Sequence, residues 1–484
     1  TIAVSYPQAC GVGGDLFALV QRPAGDVVAI NASGRAPSAT DTDAMRRAGD
    51  GSMPEHGPFS ITVPGAVSGW KALHDQGSTL PWGDAFERAI AAAHQGVEVS
   101  GALAETLDAD GGRLAADPGM RSVFFRDGAP LALGDRFLQP ALGATLQALA
   151  IHGPGALYGG DVGRRYVDGL RETGCPIALA DLEAHAAELA SPLRARYRDL
   201  DVVVSPPNSQ GFVLLEILSC VERIGIDPDP LGIDAPALAL AIRGAATDRD
   251  RHLADPKHMR IHPSTLLDDG HLAALGDEIR AGLPGTAAPS ASTVRGDTIA
   301  LVAADAEGFA ISLIQSLFSG FGSGILEPDT GIVAHNRGAC FTLDPGHPNE
   351  LAPGKRPAHT LLPVIAQRDG RPAVVTGTMG GYAQPQIDAS TLIRRVDLGA
   401  SPADAVAAPR WLCAGMDPER GEPFVLAEAD VPSTTRDALE RSGFHVTDIG
   451  EGRGSAGHAH MIAIGDGGFE AGSDPRADGG ALAS

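Results

Sequence analysis

Apolar residues alternate with small or polar ones along Leu16-Phe-Ala-Leu-Val20 and again along Val27-Val-Ala-Ile-Asn31, with Pro23-Ala-Gly-Asp26 between them. That pattern predicts a β-hairpin near the start of the chain. The opening residues Thr1-Ile-Ala-Val-Ser5 also read as a strand. Helical spacing then takes over, over 83–94 with Asp84 as N-cap, over 138–151 and over 181–189. A short strand at 202–205 leads through the turn Pro206-Pro-Asn-Ser-Gln-Gly211 into an apolar helix over 212–224, and further helices are expected at 236–253 and 271–282. Residues 283–297, rich in Pro, Gly, Ser, Thr and Ala, have the composition of an exposed linker and mark the one clear internal boundary. Beyond it, 298–305 and 309–316 form an apolar hairpin that should be buried on at least one face. Glycine-rich turns at 320–324 and 377–381, helices near 385–398 and 434–442, and two strands over 458–470 complete the pattern. Strands and helices in blocks, with hairpins prominent, indicate an α+β fold in which antiparallel sheet is layered with helices.

Composition changes this picture in a few places. At 484 residues, 43% of them hydrophobic, the chain can build a real core without disulfide staples, and 62 glycines and 36 prolines make it rich in turns. A formal net charge of −23 repels phosphate backbones and anionic membrane surfaces, which argues against a nucleic acid partner. No apolar run approaches the about 18 residues of a membrane span. Cys10, Cys175, Cys220, Cys340 and Cys413 are scattered without a C-x-x-C pair, against both a zinc site and a disulfide framework, so a reducing, cytoplasmic setting is expected. His252, His258 and His262 crowd one stretch, but Pro256 breaks the helix that would align them. Neither a metal nor a cofactor is expected.

The residue that changes the picture most is Thr298, the first of a strand directly after the linker. A cut between Asp297 and Thr298 would free an α-amine. An N-terminal threonine then supplies its hydroxyl as nucleophile and that amine, with a pKa of about 8, as base. Thr298 also reads as an ordinary β-branched strand starter.

Several segments resemble the gamma-glutamyltranspeptidase family of N-terminal-nucleophile hydrolases: Gly11-Val-Gly-Gly-Asp15-Leu-Phe-Ala-Leu, Val63-Pro-Gly-Ala-Val-Ser-Gly-Trp70, Ser205-Pro-Pro-Asn-Ser-Gln-Gly211 and Gly296-Asp-Thr298. The likeness continues through Ser316-Leu-Phe-Ser-Gly-Phe-Gly-Ser-Gly324, Asn336-Arg-Gly, Pro353-Gly-Lys-Arg-Pro-Ala-His-Thr360, Gly377-Thr-Met-Gly-Gly381 and Ser473-Asp-Pro-Arg476. The order and spacing carry it over nearly the whole chain. The resemblance implies a four-layer αββα sandwich, made as one precursor that cuts itself into a large portion, 1–297, and a small one, 298–484. By the same resemblance the sequence begins just after the helix that opens the fold, and roughly the first fifty residues of a family member are absent from it. By resemblance, Thr298 is both the cutting group and the nucleophile, Gly380 and Gly381 donate backbone N–H groups to the oxyanion, and Ser316 orients the nucleophile. The two portions would remain paired, and a dimer of such pairs is a further expectation.

The glutamyl contacts depart from the family. Ser33 stands where the carboxylate-binding Arg is expected, with Arg35 two residues on and able to share its face if the segment is extended. Cys340 replaces the ammonium-binding Asp, Phe318 a binding Asn, and His359 and Thr360 the paired serines. The remaining candidates for substrate contact are Arg35, Asn336, Arg337, His359, Thr360 and Phe318, a less polar pocket with positive charge that suits an acyl group carrying a carboxylate but no ammonium. Arg337 also reads as a structural fork on backbone carbonyls, and Phe318 as core. The run at 343–354 is too short for the lid of some transpeptidases. The expected function is therefore a self-processing N-terminal-threonine amidohydrolase or acylase acting on a small-molecule amide or peptide-like substrate. The alternatives are a gamma-glutamyltransferase or glutathione hydrolase, an unprocessed ligand-binding relative, and hydrolysis of a C–C bond by the same apparatus.

Overall fold

Each residue of the strand Asp15–Gln21 is buried, so what alternates along it is the neighbour that each side chain meets. Leu16, Ala18 and Val20 cluster with Ala66 and Trp70, whereas Phe17 meets Leu361 and Leu19 meets Val203, Ile365 and Val375. A strand covered on both faces lies inside a layered protein. The computed structural model describes residues 1–48, 51–282, 297–416, 422–449, 456–465 and 467–483.

Two antiparallel sheets carry the site. Their strands are β1 (Asp15–Gln21), β2 (Val27–Ala32), β3 (Glu188–Ala190), β4 (Leu193–Tyr197), β5 (Leu200–Val204), β6 (Asp297–Ala304), β7 (Ala310–Phe318), β8 (Val364–Arg368), β9 (Arg371–Met379), β10 (His458–Gly465) and β11 (Gly468–Ser473). One sheet has the order β6-β7-β1-β2-β3 and the other β11-β10-β9-β8-β5-β4. Each sheet therefore mixes strands from before and after residue 297. The sheets face one another: Leu19, Val27 and Ala29 of the first pack with Val203, Ile365 and Val375 of the second. Ser312 Oγ spans the gap, donating to Thr376 O at 2.7 Å and accepting from Val364 N–H at 3.2 Å. The approach is close enough that a Cβ on Gly377 would stand 2.6 Å from Ile314 Cδ1.

Helices cover the outer faces. Helix α1 (Ala66–His74) lies on the first sheet, where Ala66 packs with Leu16, Ala18 and Ile30. On the second sheet, α2 (Gly211–Ile224), α3 (Ala235–His252), α4 (Asp269–Arg280) and α5 (Gln384–Val396) share one core with Val202, Val204, Val364 and Met461.

Both hairpins stand where the alternation puts them, β1 against β2 and β6 against β7. Four expectations are corrected. Residues Ile2–Ser5 form a single helical turn, closed by Val4 and Ser5 N–H groups on Thr1 O, in which Val4 reaches the core beside Phe86 and Leu142. Asp84 caps nothing: a 3-10 turn, Asp84–Phe86, precedes the helix Glu87–Gln95. The helix expected over 181–189 runs instead from Leu179 to Glu183: Asp181 lies in its first turn, accepting from Ala178 N–H, and Glu188–Ala190 is extended and pairs with β2. Gly377 to Met379 continue β9, so only Gly380 and Gly381 make the turn. Of the linker expected over 283–297, residues 283–296 lie outside the described residues.

Phe212, fully buried at the start of α2, anchors the large core. Its replacement by alanine is expected to lower stability by about 3–5 kcal/mol, measured by urea unfolding, through lost burial and the cavity left behind.

Candidate active site

In the β6–β7 ladder Thr298 lies opposite Ser316 and Asp297 opposite Phe318, so the register skips Leu317, whose N–H donates to Ala9 O at 2.9 Å. This bulge gathers three groups on one oxygen. Ser316 Oγ donates to the Asp297 carbonyl oxygen at 2.8 Å, and accepts from Thr298 Oγ1 at 3.0 Å and from Phe318 N–H at 2.7 Å. Ser316 is fully buried and Thr298 nearly so, so water does not compete for these bonds. The carbonyl that the Ser316 hydroxyl polarises belongs to the peptide bond joining Asp297 to Thr298.

Phe318 has φ +82°, a left-handed setting uncommon outside glycine. Its ring lies under the Arg337 guanidinium, with Cζ 4.2 Å from the ring centroid. Arg337 is completely buried on the short turn Arg337–Cys340; its Nη1 donates to Thr360 Oγ1 at 3.0 Å and to Cys340 Sγ at 3.6 Å. Its Nε and Nη2 have no hydrogen-bond partner. A guanidinium buried with two donors unmatched is costly, and such a group is suited to an oxyanion or carboxylate arriving with the ligand.

From Thr360 the contacts run on to the glycine pair. Gln210 Nε2 donates to Thr360 O at 2.8 Å and to Gly381 O at 3.0 Å. Gly380 has φ +151° and Gly381 φ +55°, and a Cβ on Gly380 would meet Ile387 Cδ1 at 2.6 Å. The 3-10 turn Gly381–Ala383 runs directly into α5, so the N–H groups of Gly380 and Gly381 stand at a helix start, where backbone donors have no partner farther back within the helix. Tyr382 follows, its hydroxyl raised well above the ordinary value by burial, with Cys340 adding to the effect.

Behind these residues stands a buried charge. Asp15 Oδ2 accepts from His359 Nε2–H at 3.0 Å and Oδ1 from Gly34 N–H at 3.0 Å, while His335 Nδ1 lies 3.6 Å away. Leu361 N–H donates to His359 Nδ1 at 3.3 Å, which leaves the ring proton on Nε2. Burial pushes His359 down to about 3, with Arg337 adding to the effect. Burial alone would raise Asp15, but His335, the His359 hydrogen bond and Arg337 outweigh it and hold the carboxyl below the usual range.

The structure thus brings Thr298, Ser316, Phe318, Arg337, Thr360 and the Gly380-Gly381 turn into one linked arrangement. His359 adjoins it, but its ring is turned to Asp15. Asn336 is spent on structure, its Nδ2 donating to Glu55 O and Ser319 Oγ and its Oδ1 accepting from Ser319 N–H. Arg35 is not brought in: its guanidinium binds Asp255, Glu188 and Gly354 O. Sequence reasoning assigned no role to Asp15 or Gln210, although both lie inside quoted segments; the signal was a polar residue embedded in an apolar or glycine-rich run.

A hydroxyl buried on a strand, a polarised carbonyl preceding it and a glycine turn at a helix start are groups of the kind that acyl transfer requires. The Gamma-glutamyltranspeptidase family model matches residues 1–484; the chain belongs to that family and is an enzyme of its N-terminal-nucleophile hydrolase class. It is 36% identical to the oxamate amidohydrolase proenzyme of Klebsiella pneumoniae, over 99% of this chain and 91% of that protein. It is 34% identical to the glutathione hydrolase-like YwrD proenzyme of Bacillus subtilis, with the same coverage of 99% and 91%. A crystal structure of cephalosporin acylase from Bacillus halodurans superposes with a TM-score of 0.89 at 29% identity, covering 99% of this chain and 88% of that one.

Because His359 is neutral when folded and titrates near its ordinary value of about 6.5 when unfolded, the unfolded state binds more protons between about pH 6.5 and 3. Stability therefore falls as pH falls through that window, by up to about 1.4 kcal/mol per pH unit for one such histidine. His359→Gln is expected to flatten this slope in urea titrations at pH 7, 6 and 5.

Proposed function

We propose that the chain cuts itself between Asp297 and Thr298, and that the freed Thr298 hydrolyses the amide of a small acyl group bearing a carboxylate. One observation carries the substrate class: the buried Arg337 keeps Nε and Nη2 unbonded, above Phe318 whose N–H shares Ser316 Oγ with Thr298. A carboxylate adjoining the scissile carbonyl would take both donors in a bidentate, charge-assisted pair. The name of the Klebsiella relative supports this reading, since oxamate is an amide whose carbonyl adjoins a carboxylate.

In the cut, Thr298 Oγ adds to the Asp297 carbonyl carbon while the Ser316 hydroxyl binds the carbonyl oxygen. Collapse breaks the Asp297–Thr298 C–N bond, the proton lost by the hydroxyl passes to the leaving nitrogen, and water hydrolyses the resulting ester. In turnover the free α-amine takes the hydroxyl proton, Thr298 Oγ attacks the substrate amide, Gly380 and Gly381 N–H groups hold the oxyanion, and the amine returns the proton to the leaving nitrogen. Water then releases the acyl group. We read the helix, sheet, sheet, helix arrangement as the four-layer αββα sandwich of this class. Because both sheets mix strands from 1–297 and 298–484, the two portions are expected to copurify and to separate only on denaturation. A reducing, cytoplasmic setting is supported by five free cysteines. Among the described residues no helix is long and apolar enough to cross a membrane.

The name of the Bacillus subtilis relative favours a second reading, a gamma-glutamyl substrate as in glutathione hydrolysis. The two are separated by comparing turnover of oxamate with that of a gamma-glutamyl anilide.

Two results are expected. Wild type runs as two fragments on a denaturing gel, with Thr298 as the new N-terminus, while Thr298→Ala stays whole and Ser316→Ala is cut much more slowly. In Arg337→Met, pre-cut enzyme loses roughly ten- to a hundredfold in kcat/KM on oxamate, as the loss of charge-assisted hydrogen bonds worth about 1.5–3 kcal/mol dictates. Equal losses on a neutral amide of the same size would contradict the assignment of Arg337 to the carboxylate.

A further inference from the structure

On the far side of the second sheet, three helices each contribute one side chain to a single point. Glu216 of α2 is fully buried, and neither of its carboxylate oxygens has a hydrogen-bond partner. His271, in the first turn of α4, places Nε2 3.5 Å from Glu216 Oε1 and 2.8 Å from Asp248 Oδ2 of α3. One donor atom from each of the three lies within 4.8 Å of the others. Asp248 is nearly buried and His271 partly exposed, which leaves a path from solvent.

We propose that Glu216, Asp248 and His271 form a binding site for a divalent transition-metal cation of the zinc type, separate from the acyl-transfer centre. Ligand atoms at 2.0–2.2 Å around a tetrahedral zinc stand about 3.3–3.6 Å apart; the spacing of 3.5 Å to Glu216 lies in that range, and the 2.8 Å hydrogen bond to Asp248 lengthens as the ion enters. Two carboxylates and an imidazole that has released its Nε2 proton to solvent match a doubly charged ion and keep a fourth position open to water. The arrangement of Glu216 is the strongest indication, because a buried carboxylate is ordinarily paired or metal-bound and the single partly exposed His271 also serves Asp248. One turn along α3 from Asp248, His252 carries a buried Nδ1 without a partner and interacts electrostatically with Asp248 and His271. Bound there, the ion ties α2, α3 and α4 together as a clamp on the layer covering the second sheet.

The test uses the full-length protein stripped with a chelator and titrated with Zn2+ by calorimetry, with thermal unfolding followed in parallel. The expected result is one equivalent bound and an unfolding midpoint raised by several degrees, both lost in Glu216→Gln and in His271→Ala. No stoichiometric binding by wild type, or one equivalent retained by Glu216→Gln and by His271→Ala, overturns the site. Should the variants fail to fold, zinc-soaked wild-type crystals decide it: an anomalous peak among the three side chains supports the proposal, and its absence overturns it.

Discussion

Ser316 Oγ is the atom on which the arrangement of the site depends. A hydroxyl carries one proton and two lone pairs, and here all three are assigned: the proton to the Asp297 carbonyl, the lone pairs to the Thr298 hydroxyl and the Phe318 N–H. That assignment needs the register skip at Leu317, because a regular ladder would place Phe318 N–H elsewhere. It also needs burial, since in water each bond would be exchanged for one with solvent at little net gain. The nucleophile candidate, the bond before it and the turn that carries the Phe318 ring are thereby positioned by one side chain.

The rest of the site follows from how the two sheets meet. Ser312 bridges them and Gly377 lets them approach, which brings the end of β9 and its glycine turn toward the start of β6. The charges behind the site are arranged unequally. Asp15 is bonded by His359 and Gly34 and sits within the field of Arg337, whereas Arg337 keeps two donors without a protein partner. One buried charge is thus satisfied by the fold, and the other is left for what the fold binds. The account of substrate class rests on that asymmetry.

Much of this was legible in the sequence, for local physical reasons. The hairpins of β1 with β2 and β6 with β7 follow from alternation around turns rich in Gly, Asp and Pro, and α2, α3 and α5 from long apolar spacing. Thr298 is singled out by its strand position and Ser316 and the glycine pair by resemblance, and the structure joins them through short contacts. What failed depends on contacts distant in sequence. In the helical turn Ile2–Ser5, Val4 meets a core assembled from residues such as Leu142, and Arg35 is drawn away by Asp255 and Glu188, which no spacing rule connects to it. His359 looked like a substrate contact until Asp15, 344 residues away, claimed its ring. The Glu216, Asp248 and His271 cluster has no sequence spacing at all, since each member comes from a different helix, while the histidine-rich run at 252–262 drew attention for its density alone.

The most direct measurement is to quench the processed enzyme with acid during turnover of oxamate, digest it and locate the acyl group by mass spectrometry. The account predicts an oxalyl ester on the peptide that begins at Thr298, and on no other. An acyl group on a different residue, or sustained turnover with none trapped on that peptide, would contradict the assignment of Thr298 as the nucleophile.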